Sequence, residues 1–161
     1  MTKEEAIIAA FVNMLKTIKP ANEYEAGKNY VNDFSGCVYD WDDKPVPDED
    51  AKQVIVQDGL IECDEKDNEE YLLYQTIEFK VLIYLAAGAN TISNLRKADI
   101  DIIHCIGKNE RSFIMNYDMT FVLVKREKVL DKKNKTLGAS RITVRGKYNT
   151  TRWMIGEASF N

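Results

Sequence analysis

The sequence predicts an α+β fold in which two helices pack on a mixed, mostly antiparallel sheet that includes a long basic β-hairpin. The prediction follows from the order of patterns along the chain, which is a helix, strands, a second helix and strands again. Strands joined directly to one another need antiparallel neighbours. With 161 residues, 45% of them hydrophobic and 30% charged, the chain is expected to form one domain, 1–161.

The first helix is predicted to start at a capping box formed by Thr2 and Glu5. Apolar residues then recur on one helical face, at Ile7, Phe11, Met14, Leu15 and Ile18. Pro20 is expected to stop the helix, because its ring clashes with the preceding turn. The apolar face should therefore belong to the core.

Residues 21–52 have little periodicity and predict an irregular segment with one or two short strands. The stretch "DWDDKPVPDEDAK" predicts an exposed acidic loop, whose acids are Asp40, Asp42, Asp43, Asp48, Glu49 and Asp50. Two apolar runs follow, 54–56 and 60–63, separated by Asp58-Gly59. That dipeptide suits a tight turn and predicts a strand pair, with one interrupted strand as the alternative.

The longest strand pattern runs from Tyr71 to Tyr84, and one face of it holds Gln75, Ile77, Phe79, Val81 and Ile83. The stretch "AAGAN" follows. It lacks the further glycines and the lysine of a phosphate-binding loop, so we interpret it as a strand–helix joint. The second helix is predicted to begin at Asn90 or Thr91 and to end at Gly107, with Ile92, Leu95, Ile102, Ile103 and Ile106 on its apolar face.

Strands are predicted for the rest of the chain, over Phe113–Val124, Arg141–Lys147 and Arg152–Phe160. The segment from Lys125 to Lys147 carries nine bases and two acids, and predicts a long hairpin whose basic tip orders on a partner. The alternatives are a solvated loop and an arm that contacts nucleic acid phosphates. The candidate interface residues are the six loop acids together with Lys125, Arg126, Lys128, Lys132, Lys133, Lys135, Arg141 and Arg145.

The charges are unevenly distributed along the chain. Residues 1–70 carry 18 acids and 7 bases, a balance of −11, whereas residues 71–161 carry 8 acids and 15 bases, a balance of +7. Such a chain is suited to head-to-tail assembly, acidic face to basic face. The alternative is that both sets of charges lie on solvated loops.

No catalytic, metal or cofactor site is predicted. The three cysteines form no CxxC motif and indicate a reducing compartment. The single histidine, His104, is expected to lie near the C-terminal end of the second helix, where it would interact favourably with the helix dipole. A weak match to the PD-(D/E)xK nucleases, formed by Asp48, Glu78 and Lys80, leaves a small metal-dependent nuclease as the alternative function. Neither a secretion signal nor a membrane span is predicted.

The pattern as a whole resembles the tail terminator, or tail-completion, proteins of long-tailed bacteriophages. The resemblance rests on the order of elements and on "PANEY" after the first helix, "YDWDDKPVP" in the acidic section, "AAGAN" before the second helix and the final "WMIGEASFN". It covers nearly the whole chain, and related head–tail joining adaptors share the outline. The long basic hairpin is a departure from the family pattern.

The resemblance implies a non-enzymatic ring, usually of six subunits, that caps the tail tube, stops its elongation and meets the capsid connector. Its partners would be the tail tube protein, the connector or head-completion protein and further copies of itself, with DNA only passing through and no membrane. A ring that forms on the tail, with a monomer as the alternative state of the isolated protein, is the expected form of self-association. The basic hairpin would be the inter-subunit or tube-facing arm, and the acidic loop a second contact surface. The protein would reside at the head-proximal end of the tail, after assembly in the host cytoplasm.

Overall fold

The computed structural model describes residues 1–41, 52–63, 72–86, 90–130 and 137–151. Two helices pack on a mixed, mostly antiparallel sheet, which confirms the predicted α+β class. The elements in chain order are α1 Lys3–Leu15, β1 Glu23–Glu25, β2 Lys28–Asn29, β3 Val38–Asp40, β4 Gln53–Cys63, β5 Leu72–Ala86, α2 Thr91–Tyr117, β6 Thr120–Leu130 and β7 Leu137–Thr151. Neither helix in these ranges has the length and apolar character needed to cross a bilayer.

Helix α1 starts at the predicted capping box. The Glu5 amide donates to the Thr2 hydroxyl at 3.1 Å, and the Thr2 amide donates to the Glu5 carboxylate at 2.6 Å. The helix ends at Leu15, well before Pro20, and Ile18 is buried just beyond that end. The ring of Phe11 stacks on that of Phe79 with centroids 4.3 Å apart, which anchors the apolar face of α1 on the sheet.

The sheet has the strand order β3-β4-β5-β7-β6, and β1 and β2 form a separate small hairpin. Strand β3 runs parallel to β4, and the other neighbours are antiparallel. Strand β5 is central, and the residues predicted to share one of its faces are all buried: Gln75, Ile77, Phe79, Val81 and Ile83. The chain therefore inserts its last described strand, β7, between β5 and β6.

The predicted strand pair within 54–63 is wrong. Strand β4 is continuous and pairs along β5 from Gln53 to Cys63, with a register shift between Asp58 and Ile61. The long neighbour β5 keeps both halves in one ladder, and the Asp58-Gly59 dipeptide is accommodated as an irregularity instead of a turn. Segment 21–41 contains three short strands, whereas one or two were predicted. The predicted acidic loop, from Asp42 onwards, lies outside the described residues.

The second helix is longer than predicted. It passes through Gly107 and continues to Tyr117, because the cost of one exposed helical glycine, about 1 kcal/mol, is offset by burial of Phe113 in the core. Asp118, with a φ of 54°, ends the helix in the left-handed conformation. The strand predicted from Phe113 therefore begins only at Thr120. The joint at 87–89 and the strand predicted over Arg152–Phe160 lie outside the described residues.

Candidate assembly interface

Strands β6 and β7 form the predicted long hairpin, paired from Thr120 opposite Lys147 to Leu130 opposite Gly138. Six of the predicted interface residues lie in the described ranges. Strand β6 carries Lys125, Arg126 and Lys128, and β7 carries Arg141 and Arg145. The sixth, Asp40, ends β3 at the opposite edge of the sheet. The remaining predicted contact residues lie outside the described ranges; they are Lys132, Lys133, Lys135, Asp42, Asp43, Asp48, Glu49 and Asp50. The interface role of all these residues stays a prediction.

Two of the predicted surface bases meet a buried carboxylate on α2. The side chain of Asp99 has no exposed surface, and its Oδ2 atom lies 2.7 Å from Nζ of Lys128 and 3.4 Å from Nη2 of Arg126. The Ser140 hydroxyl donates to the other oxygen, Oδ1, at 2.5 Å. Sequence reasoning missed Asp99, because its partners lie on other elements and no local pattern marks a buried acid.

A second cluster lies on the other face of the hairpin. The Oε2 atom of Glu127 accepts from Nε and Nη2 of Arg141, at 2.9 and 2.7 Å, across the β6–β7 ladder. Nζ of Lys125 lies 3.4 Å from the same oxygen. The two bases lower the pKa of the Glu127 carboxyl through these hydrogen bonds and charges, with the Arg141 hydrogen bond the largest cause.

A third cluster joins β5 to β7. Glu78 lies directly opposite Arg145, and the Arg145 Nε donates to its Oε2 at 3.3 Å, whereas Nζ of Lys80 lies 3.9 Å from Oε1. All three clusters share one composition, in which two bases surround one acid. Each cluster therefore keeps a surplus of one positive charge, and the β5–β7–β6 end of the sheet remains cationic despite its internal ion pairs.

Strand β6 also exposes a run of apolar side chains. Val122, Leu123 and Val124 are 63%, 46% and 39% exposed, although they are consecutive on a strand. The register shifts between Leu123 and Lys125, which makes Val124 the extra residue of a bulge. In the described part of the chain β6 has a neighbour on one side alone, so these side chains stand at the edge of the sheet.

The start of this edge is protected by the helix. The Phe121 amide donates to Oε2 of Glu110 on α2 at 3.0 Å, which satisfies a β6 backbone donor without a strand partner. Among the described residues, the part of the β6 edge that is available to a further strand therefore begins after Phe121.

His104 does not lie at the end of α2, so its predicted role there is wrong. Its ring stacks on Tyr24 with centroids 4.0 Å apart, beside a shallow cleft of about 220 Å³ that Arg96, Lys97 and Ile100 also line. One turn away, the buried carboxylate of Asp101 accepts from the amides of residues 31 and 32. These contacts fasten the segment after α1 to the second helix.

The nuclease alternative draws little support from its described residues. The Glu78 carboxylate is already engaged by two cations, and Asp48 lies outside the described ranges. Within those ranges no group of three or more His, Cys, Asp or Glu side chains is placed to hold a metal ion. The three cysteines are unpaired thiols.

Comparison with protein-family models and with curated proteins gave no match to this chain.

Proposed function

We propose that this protein is a structural virion-assembly protein of the tail-terminator type, which caps a phage tail tube as a ring. The observation that carries the proposal is the edge of β6, where Val122, Leu123 and Val124 are exposed together. Soluble monomers usually protect such edges with short strands, charges or covering segments, because an open apolar edge recruits another chain. An edge of this kind suits a protein whose working state is an assembly.

The charge distribution supports the same proposal. Three clusters leave the β5–β7–β6 end of the sheet cationic, whereas the first 70 residues carry a balance of −11. Surfaces of opposite charge steer subunits into one orientation and fix their register more than they add affinity. In the proposed ring, six copies would stop tube elongation and present one face to the capsid connector, while DNA passes through the centre.

The decisive experiment is a stop codon in this gene within the phage that carries it. Tails should then grow to uncontrolled lengths and fail to join capsids, as seen by negative-stain electron microscopy. Wild-type protein supplied from a plasmid should restore both properties. Tails of normal length joined to filled capsids, in cells shown to lack the protein, would overturn the proposal.

A second experiment addresses the hairpin arm. Charge reversal of Lys132, Lys133 and Lys135 to glutamate should leave thermal unfolding unchanged but give tails that fail to terminate or to join capsids. The matched control reverses three exposed lysines elsewhere, Lys16, Lys19 and Lys97, and so changes the net charge equally. Equal phage yields from the two triple variants would remove the arm from the proposed mechanism.

A further inference from the structure

The two edges of the main sheet differ in character. Strand β3 forms one edge and β6 the other, and in the described ranges each has a strand on its inner side alone. An edge strand presents unpaired N–H and C=O groups and accepts an added strand by main-chain hydrogen bonding. The sheet therefore has two sites for extension, and their side chains decide what each can accept.

The described end of the β3 edge carries one acid and one exposed aromatic residue. Asp40 is partly exposed at the end of β3, and the next residue, Trp41, is 42% exposed. Exposed tryptophan is uncommon on a surface that meets water alone, and it is enriched where one protein docks on another.

The β6 edge is apolar and basic. The run Val122–Val124 is exposed, and directly after it Lys125 is 54% exposed in its side chain and shares Glu127 with Arg141. This edge thus offers an apolar patch next to surplus positive charge. The β3 edge offers an aromatic ring next to negative charge, which is the complementary arrangement.

We propose that copies of this protein associate head to tail, with the β3 edge of one copy docking along the β6 edge of the next. Trp41 would cover the Val122–Val124 patch, and Asp40 would face Lys125. The inference rests on the proposed function, because it supplies the subunit contact of the ring. A heterologous contact of this type repeats from copy to copy, and closes into a ring when its rotation allows.

The charges argue against the main rival, in which two β6 edges pair with each other. That symmetric contact would bring two surplus-positive strands together, and like charges directly opposite one another destabilise a strand pair. The head-to-tail contact instead brings opposite charges together, so it should weaken as salt is added.

The test uses two variants of the full chain, each with one edge blocked. The β6-blocked variant carries Val122→Lys and Val124→Lys, and the β3-blocked variant carries Asp40→Lys and Trp41→Ala. Circular dichroism and thermal unfolding check that both variants fold. Each is examined by sedimentation velocity at submillimolar concentration and low ionic strength, alone and in an equimolar mixture. Wild-type protein should self-associate, each variant alone should be monomeric, and the mixture should form a 1:1 dimer through the two intact edges.

Three results would overturn the inference. Self-association of the β3-blocked variant would show that β6 pairs with β6. A mixture that stays monomeric would show that the edges do not meet. The third result has two parts: the wild-type protein binds DNA whereas the β6-blocked variant does not, and the mixture of variants forms no dimer. Together they would show that the β6 edge binds nucleic acid instead of the β3 edge.

The phage assay separates this inference from the proposed function. If loss of the gene disturbs tail length but both blocked variants restore it, the tail-terminator role stands and the proposed contact fails. If the mixture dimerises but loss of the gene leaves tails normal, the contact stands and the tail-terminator role fails.

Discussion

Asp99 on α2 and Lys128 on β6 form an ion pair at 2.7 Å in which the carboxylate has no exposed surface and the lysine side chain is 23% exposed. Buried charges that lose a partner are strongly destabilising, because the remaining charge is neither solvated nor paired. This pair, with Arg126 and Ser140 around it, ties the basic hairpin to the second helix.

Asp99→Asn should lower the free energy of unfolding by about 1–3 kcal/mol, because it weakens the charge-assisted hydrogen bonds that Asp99 accepts from Lys128, Arg126 and Ser140, while the two cations stay partly exposed to water. Urea denaturation at neutral pH measures the loss. The matched control is Glu25→Gln, which removes the carboxylate of the exposed Glu25–Lys28 pair and should have a far smaller effect. Equal losses in the two variants would mean that the buried cluster contributes no more than a surface pair.

Two glycine substitutions should change the free energy of unfolding in opposite directions. A Cβ on Gly146 would collide with Met119, which is fully buried, and would crowd the Phe121 ring at 3.3 Å, so Gly146→Ala should cost about 1–3 kcal/mol. A Cβ on Gly107 meets nothing within 4 Å, so Gly107→Ala should raise stability by about 1 kcal/mol through helix propensity. Thermal unfolding of both variants checks the prediction, and destabilisation by Gly107→Ala would contradict the observed length of α2.

Stability should fall in alkaline solution partly because of Tyr148. Burial, with a further contribution from Glu4, raises the pKa of its phenol well above the ordinary value. The folded state then keeps a proton that the unfolded chain releases near pH 10, so this contribution is complete below about pH 10 and is lost as the pH rises further. Tyr148→Phe should give a shallower decline in unfolding free energy between about pH 9 and 11, measured by urea denaturation at each pH. Parallel curves for the two proteins would refute this.

Purified protein should not cleave DNA in the presence of magnesium or manganese, because Glu78 is held by Arg145 and Lys80. A supercoiled plasmid assay measures this with high sensitivity. Cleavage that Glu78→Ala abolishes would restore the nuclease alternative. Cleavage that Glu78→Ala leaves unchanged would point to a contaminating enzyme.

Local patterns allowed correct predictions where the interactions that decide the structure are local. The capping box of Thr2 and Glu5 involves residues three positions apart, and the alternation in β5 directly reflects which side chains face the core. Both features were therefore predicted from the sequence.

The errors arose where tertiary contacts overrode a local preference. Gly107 favours a helix end, but burial of Phe113 keeps the chain helical beyond it. Asp58-Gly59 favours a turn, but the neighbouring β5 holds β4 in one continuous ladder. The candidate interface shows the same division: its basic strand was predicted, whereas the pairing of that strand with Asp99 depends on how α2 lies across the sheet.

The position of β7 has a consequence for how the chain folds. Leu72 on β5 pairs with Thr151 and Ala86 pairs with Leu137, so the centre of the sheet joins segments that α2 and β6 separate in the chain. Contacts between distant segments delay folding, so we expect this protein to fold more slowly than a helical domain of the same size. During synthesis, β5 and β6 emerge from the ribosome before the strand that joins them. Nascent chains that end before residue 137 therefore leave one edge of β5 and both edges of β6 without a strand neighbour among the described elements, and chaperones that hold exposed strands should bind them until β7 arrives.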